Sequence, residues 1–141
     1  MLPRRIWSSR PRGLTLLECL AAVAVAGILA AAAIPSQLAQ MQRARRLDAV
    51  AALTRLQIAQ ESYRARYGSY AAELAQVGGA ARSPEGLYLL ALADAGADAV
   101  TLVARASADG AQHGDSDCLE ITLRLNQGLA DAGPSGRCWN R

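Results

Sequence analysis

The sequence predicts an α+β chain in which one long N-terminal helix packs on a small antiparallel sheet, with a C-terminal loop closed by a disulfide. Three patterns carry that expectation. Residues 14–34 form an apolar run with a single charge, residues 47–70 repeat apolar side chains at helical spacing, and residues 86–125 hold three short strand-like runs. With 141 residues the chain suffices for one compact domain of roughly 100 residues plus an anchor, and is too short for two ordinary domains.

Charge is unevenly placed. All 15 basic residues are arginine, and Arg4, Arg5, Arg10 and Arg12 lie within the first 13 residues. Beyond residue 13 only 11 arginines face 12 carboxylates, so the basic pI belongs to the leader and gives little reason to expect nucleic acid. Aromatic residues are few and alanine is abundant. That balance suits close-packed helices better than an aromatic-lined catalytic pocket.

The run from Leu14 to Ile34 spans about 30 Å as a helix, the hydrocarbon thickness of a bilayer. A secretory signal has a shorter apolar core followed by a small-residue cleavage site, whereas here Gly13 precedes the run. Four arginines before it against Arg43, Arg45 and Arg46 after it bias the N-terminus slightly toward the cytoplasm. Glu18 is the one charge inside. Thr15-Leu16-Leu17-Glu18 has capping-box spacing, and an acid in the first turn meets the positive end of the helix dipole. An unpaired acid deep in hydrocarbon would nevertheless cost a few kcal/mol, so a paired role stays open beside the capping one. Pro35 either ends this helix or kinks it, with Gly27 a second weak point.

Leu47, Val50, Leu53, Leu56, Gln60, Tyr63, Tyr67 and Tyr70 then trace one face of an amphipathic helix that Gly68 should stop. Arg45, Asp48, Arg55, Glu61, Arg64 and Arg66 fall on the other face, expected to be solvated. Residues 69–85 read as a turn-rich loop with an apolar patch at Leu74 and Val77. Strands are expected at 86–93, 99–106 and 118–125, the first two joined by the short hairpin "DAGAD". Cys118 and Cys138 flank a polar stretch and read as a disulfide in an exported domain, and Cys19 as a small hydrophobe within the apolar run.

No nucleophile, base and orienter occur in a recognisable setting, so no catalytic residues and no cofactor are expected. His113 reads as a solvated loop residue. Asp109, Asp115 and Asp117 lack EF-hand spacing, and no metal is assigned to them.

The segment "RGLTLLE" resembles the cleavage and assembly motif of type IV prepilins: a basic leader ending in Gly, an apolar residue, Thr, two more apolar residues and Glu. Pro35, residue 22 counted from Leu14, matches a proline that many pilins carry. The resemblance implies a pilin fold whose leader, residues 1–13, is cut between Gly13 and Leu14 by a membrane-embedded prepilin peptidase, with N-methylation of Leu14. It further implies a membrane or filament-core helix over 14–35, an amphipathic exported helix over 36–68, a connecting loop over 69–85, and a sheet with the Cys118–Cys138 loop over 86–141. Glu18 would pair with the cationic amino terminus of a neighbouring subunit, since a free α-amino group has a pKa of about 8.

The implied partners are other pilin subunits, the prepilin peptidase, an inner-membrane assembly platform and membrane lipid; a cytoplasmic ATPase would drive extraction. The precursor would sit in the bacterial inner membrane with its C-terminal domain in the periplasm, and then join a cell-surface pilus used in adhesion, twitching motility or DNA uptake. A minor pilin of a type IV pilus is the first expectation, a type II secretion pseudopilin the second and a DNA-uptake pilin the third. The last would rely on exposed arginines such as Arg82, Arg105, Arg137 and Arg141. A signal-anchored periplasmic enzyme or binding protein is the alternative from another class.

Overall fold

The computed structural model describes residues 15–141, with backbone alone at residues 33–36. The leader and the Gly13–Leu14 position lie outside the described residues. Helix α1 covers Leu16–Tyr67. At its first turn the Glu18 amide donates to Thr15 Oγ1 at 3.3 Å as well as to the Thr15 carbonyl at 3.1 Å, which is the Thr15 half of the capping box. The helix runs through position 35 without ending, so of the two readings of Pro35 termination is excluded. By contacts the chain forms two compact units, Met1–Gln37 and Leu38–Arg141. In the first, Leu16, Leu20, Val23, Ile28 and Leu29 are all exposed, and the helix is long and apolar enough to cross a membrane.

In the second unit α1 buries Arg46, Ala49, Leu53, Leu56 and Gln60, a series with steps of three and four residues. Leu47 and Tyr67, placed on the buried stripe by the sequence, are exposed. For Leu47 the reason is geometric. Successive three-residue steps turn about 300° each and walk off any fixed face, so the Leu47-Val50-Leu53-Leu56 series cannot all face one sheet. Tyr63 is half-buried, and Tyr70, beyond the helix, is buried. Gly68 closes α1 at a φ of 76°, where its amide donates to the Arg64 carbonyl. The buried Gln60 amide then copies a peptide group: its Nε2 donates to the Ala71 carbonyl at 3.0 Å and its Oε1 accepts from the Ala71 amide at 2.9 Å. This ties the outgoing loop to the helix it has just left.

Four strands follow: β1 (Tyr88–Ala93), β2 (Ala99–Ala106), β3 (Glu120–Asn126) and β4 (Leu129–Gly133). They pair antiparallel in the order β1-β2-β3-β4. Alternation puts Tyr88 and Leu90, then Val100, Leu102 and Ala104, then Ile121, Leu123 and Leu125 into the core against the alanines and leucines of α1.

The third strand starts at Glu120, two residues after the expected Cys118, because residues 116–118 form a 3-10 turn that directs the Cys118 sulfur inward. The fourth strand is additional to the three expected from sequence and lies in the polar stretch between the two cysteines. Gln127 and Gly128, both at positive φ, connect β3 to β4 as a two-residue turn.

Cys118 and Cys138 form a disulfide at the edge of the core. Replacing both by serine is expected to cost about 3 kcal/mol by the loop-entropy argument, read as a lower thermal midpoint of the full chain in detergent. An unchanged midpoint would mean that Trp139 and the tail hydrogen bonds hold the C-terminus unaided.

Candidate nucleic-acid interface

Three arginines meet at the C-terminus because a buried ion pair fixes the chain beneath them. Arg46 lies on the buried stripe of α1, and its guanidinium grips Asp115 through two parallel hydrogen bonds, Nε to Oδ2 at 2.6 Å and Nη2 to Oδ1 at 2.7 Å. Both side chains are almost fully buried, at 6% and 3% exposure. The remaining Nη1 donates to the Arg137 carbonyl at 3.0 Å. Gln112 adds a bond from Nε2 to Asp115 Oδ2 at 2.6 Å and reaches the Gln42 carbonyl at 3.3 Å. One side chain of α1 thus holds both the loop before β3 and the tail.

The electrostatics match this geometry. The hydrogen bond to Asp115 raises the Arg46 pKa above its ordinary value against the opposing effect of burial. Burial also pushes the neighbouring Tyr88 hydroxyl up to about 12, so it stays neutral at any physiological pH.

On this base the tail folds back. Trp139 is buried and its indole N–H donates to the Gly133 carbonyl at 2.9 Å, while Asn140 Nδ2 donates to the Arg43 carbonyl at 2.9 Å. Arg43, Arg137, Asn140 and Arg141 consequently line one surface hollow of about 390 Å³ with no Asp or Glu side chain in its wall. The Arg141 guanidinium lies 5.8 Å from the Trp139 ring, a cation–π contact that restrains a long side chain in advance of binding. Arg137 touches Asp117 at 3.2 Å, but both ends are about two-thirds exposed and such pairs are worth little. Guanidinium groups pair with phosphate oxygens through two parallel N–H bonds, so a cluster of this kind fits a polyanion backbone.

The four arginines singled out from sequence separate here. Arg137 and Arg141 join the cluster with Arg43. Arg105 does not: the register of β2 and β3 sets it opposite Glu120, and its guanidinium bonds that carboxylate at 2.6 Å and 3.0 Å. Arg82 lines a different hollow with Arg55. Asp48, expected in solvent, is buried and accepts from the Glu85 amide at 3.0 Å. Asp115 and Asp117 are held by arginines, and His113 is exposed. The sequence reading missed the Arg46–Asp115 pair, whose members stand 69 residues apart. One signal for it existed, since Arg46 falls in phase with Ala49, Leu53, Leu56 and Gln60.

One long helix with an apolar first part, a four-stranded antiparallel sheet after it and a disulfide near the C-terminus define the type IV pilin class. Comparison with known families agrees. Residues 8–34 match the prokaryotic N-terminal methylation motif. Residues 35–122, more than half of the chain, match the family described as type IV minor pilin ComP, DNA uptake sequence receptor, and the chain belongs to that family. No curated protein matches it. Of the three kinds of pilin weighed from sequence, the match names a minor pilin and, within that group, the DNA-uptake kind placed last.

Proposed function

We propose that this minor pilin is a DNA receptor, and that Arg43, Arg137 and Arg141 grip the phosphate backbone of duplex DNA. The observation that carries the reading is the gathering of these three cations around a hollow lined by no Asp or Glu side chain, in a chain whose family description names a DNA uptake sequence receptor. Whole-chain charge says nothing of this. Outside the leader the net charge is close to zero, and attraction to DNA comes from local density.

The test is duplex affinity of the full chain in detergent at several salt concentrations. Each phosphate contact contributes about 0.9 to the slope of log K against log salt, so the Arg43→Ala, Arg137→Ala, Arg141→Ala variant should lose about 2 to 3 in slope and bind far more weakly at low salt. An unchanged slope would remove the cluster from the interface.

The remaining roles follow from the same reading. Prepilin peptidase would cut between Gly13 and Leu14, the new terminus would be methylated, and Glu18 would pair with the terminus of an adjoining subunit. The precursor would await extraction in the inner membrane with residues 38–141 in the periplasm, in contact with the assembly platform, and then enter a filament as a binding subunit without catalytic residues of its own.

A further inference from the structure

A second charged groove lies along α1. Helical spacing puts Arg55, Ala59, Ser62 and Arg66 in one stripe, and over 11 residues at about 1.5 Å each the two arginines stand about 16 Å apart. The stripe forms one wall of two adjoining hollows. One, of about 370 Å³, carries Arg55 and Arg82; the other, of about 310 Å³, carries Tyr63, Arg66 and Tyr67. Ala59 and Val77 line both, so the hollows adjoin. No Asp or Glu lines either one. Among the described residues no carboxylate forms a salt bridge with Arg55, Arg66 or Arg82, in contrast to Arg105 and Arg137.

The aromatic pair sets this groove apart from the C-terminal cluster. The Tyr63 and Tyr67 rings lie 4.4 Å apart, tilted by 38°, and Tyr67 remains 66% exposed. Packing on one side with an open ring on the other is a platform for a further flat group. Arg66, whose Nη2 is held by Ser62 Oγ at 3.3 Å, stands on the same wall. Two cations in one hollow and an aromatic pair with a third cation in the next match a strand that offers both phosphates and unstacked bases. A duplex offers phosphates there, but its bases are stacked inside.

We infer that the groove between α1 and residues 76–84 binds single-stranded nucleic acid, with a base stacked on Tyr67 and phosphates on Arg55, Arg66 and Arg82. The ligand class rests on the receptor reading above, whereas the site and its form of nucleic acid are separate from the duplex-binding cluster. A subunit with both sites would hold a duplex by its backbone and a frayed or processed end by its bases.

The experiment measures binding of a short fluorescein-labelled oligothymidylate, the corresponding abasic oligomer and a blunt hairpin duplex to the full chain in detergent. Tyr67→Ala should weaken oligothymidylate binding about tenfold, Tyr67→Phe should restore it, and the duplex affinity should stay unchanged. Arg66→Ala should lower the salt slope for the single strand by about 0.7. Because Tyr67 is exposed, near-ultraviolet circular dichroism should confirm a native fold in each variant. Equal affinity of Tyr67→Ala and the native chain for oligothymidylate, or equal affinity for the abasic oligomer, would overturn the inference. So would an anionic polysaccharide whose binding alone depends on Tyr67, which would assign the groove to a glycan. Loss of duplex binding in the Arg43, Arg137 and Arg141 variant is read independently, so either site can fail without the other.

Discussion

Arg46→Leu should destabilise the unit Leu38–Arg141 by about 3–5 kcal/mol, because it leaves Asp115 buried at 3% exposure without its cation. Leucine fills much of the space, so the loss would be electrostatic more than steric. The replaced guanidinium also supplied the bond to the Arg137 carbonyl, and the tail should loosen with it. Thermal unfolding of the full chain, followed by near-ultraviolet circular dichroism, would show a midpoint lower by at least about 10 °C for a domain of this size. The double variant Arg46→Leu, Asp115→Leu should recover part of the loss, since no buried charge then remains. A double variant less stable than the single one would mean that Asp115 acts through Gln112 and the loop rather than as the counter-ion of Arg46.

Glu18→Ala should abolish incorporation into filaments while leaving cleavage after Gly13 intact. The cap itself is worth little here. Thr15 still receives the first-turn amide at position 18, so the helix keeps its start. What the variant removes is a carboxylate in an apolar helix, where a neighbouring subunit's amino terminus would find its only strong partner. Sheared filaments and membrane fractions, probed for the processed chain, separate the two outcomes. Processed chain confined to the membrane is expected; normal entry into filaments would leave Glu18 as a cap and no more.

Much of the fold was legible because its signals are local. A two-residue period runs through Ile121, Leu123 and Leu125, and all three are buried. Gly68 marked the end of α1, and the cysteine pair marked the closure of the tail. The fourth strand escaped notice because "LADAG" has almost no apolar content: it pairs through its backbone while Leu129, Ala130 and Asp131 stay in solvent. Asn126-Gln127-Gly128 was its one local sign. The candidate site was less legible, for the same physical reason in each part. Arg43 and Arg141 become neighbours only through a tail held by the disulfide, Trp139 and Asn140, and Arg105 is set beside a carboxylate on the next strand, a partner that only the register reveals. Charge counting along a chain averages over such placements.

The most direct test of the DNA-receptor account is uptake of labelled DNA into a nuclease-resistant state by cells carrying either the native chain or the Arg43→Ala, Arg137→Ala, Arg141→Ala variant, with surface filaments imaged in the same cultures. Filaments should look alike in both and uptake should fall sharply in the variant. Uptake at the native level, or filaments missing from the variant, would contradict the account, because the arginines would then serve nothing or serve assembly in place of DNA.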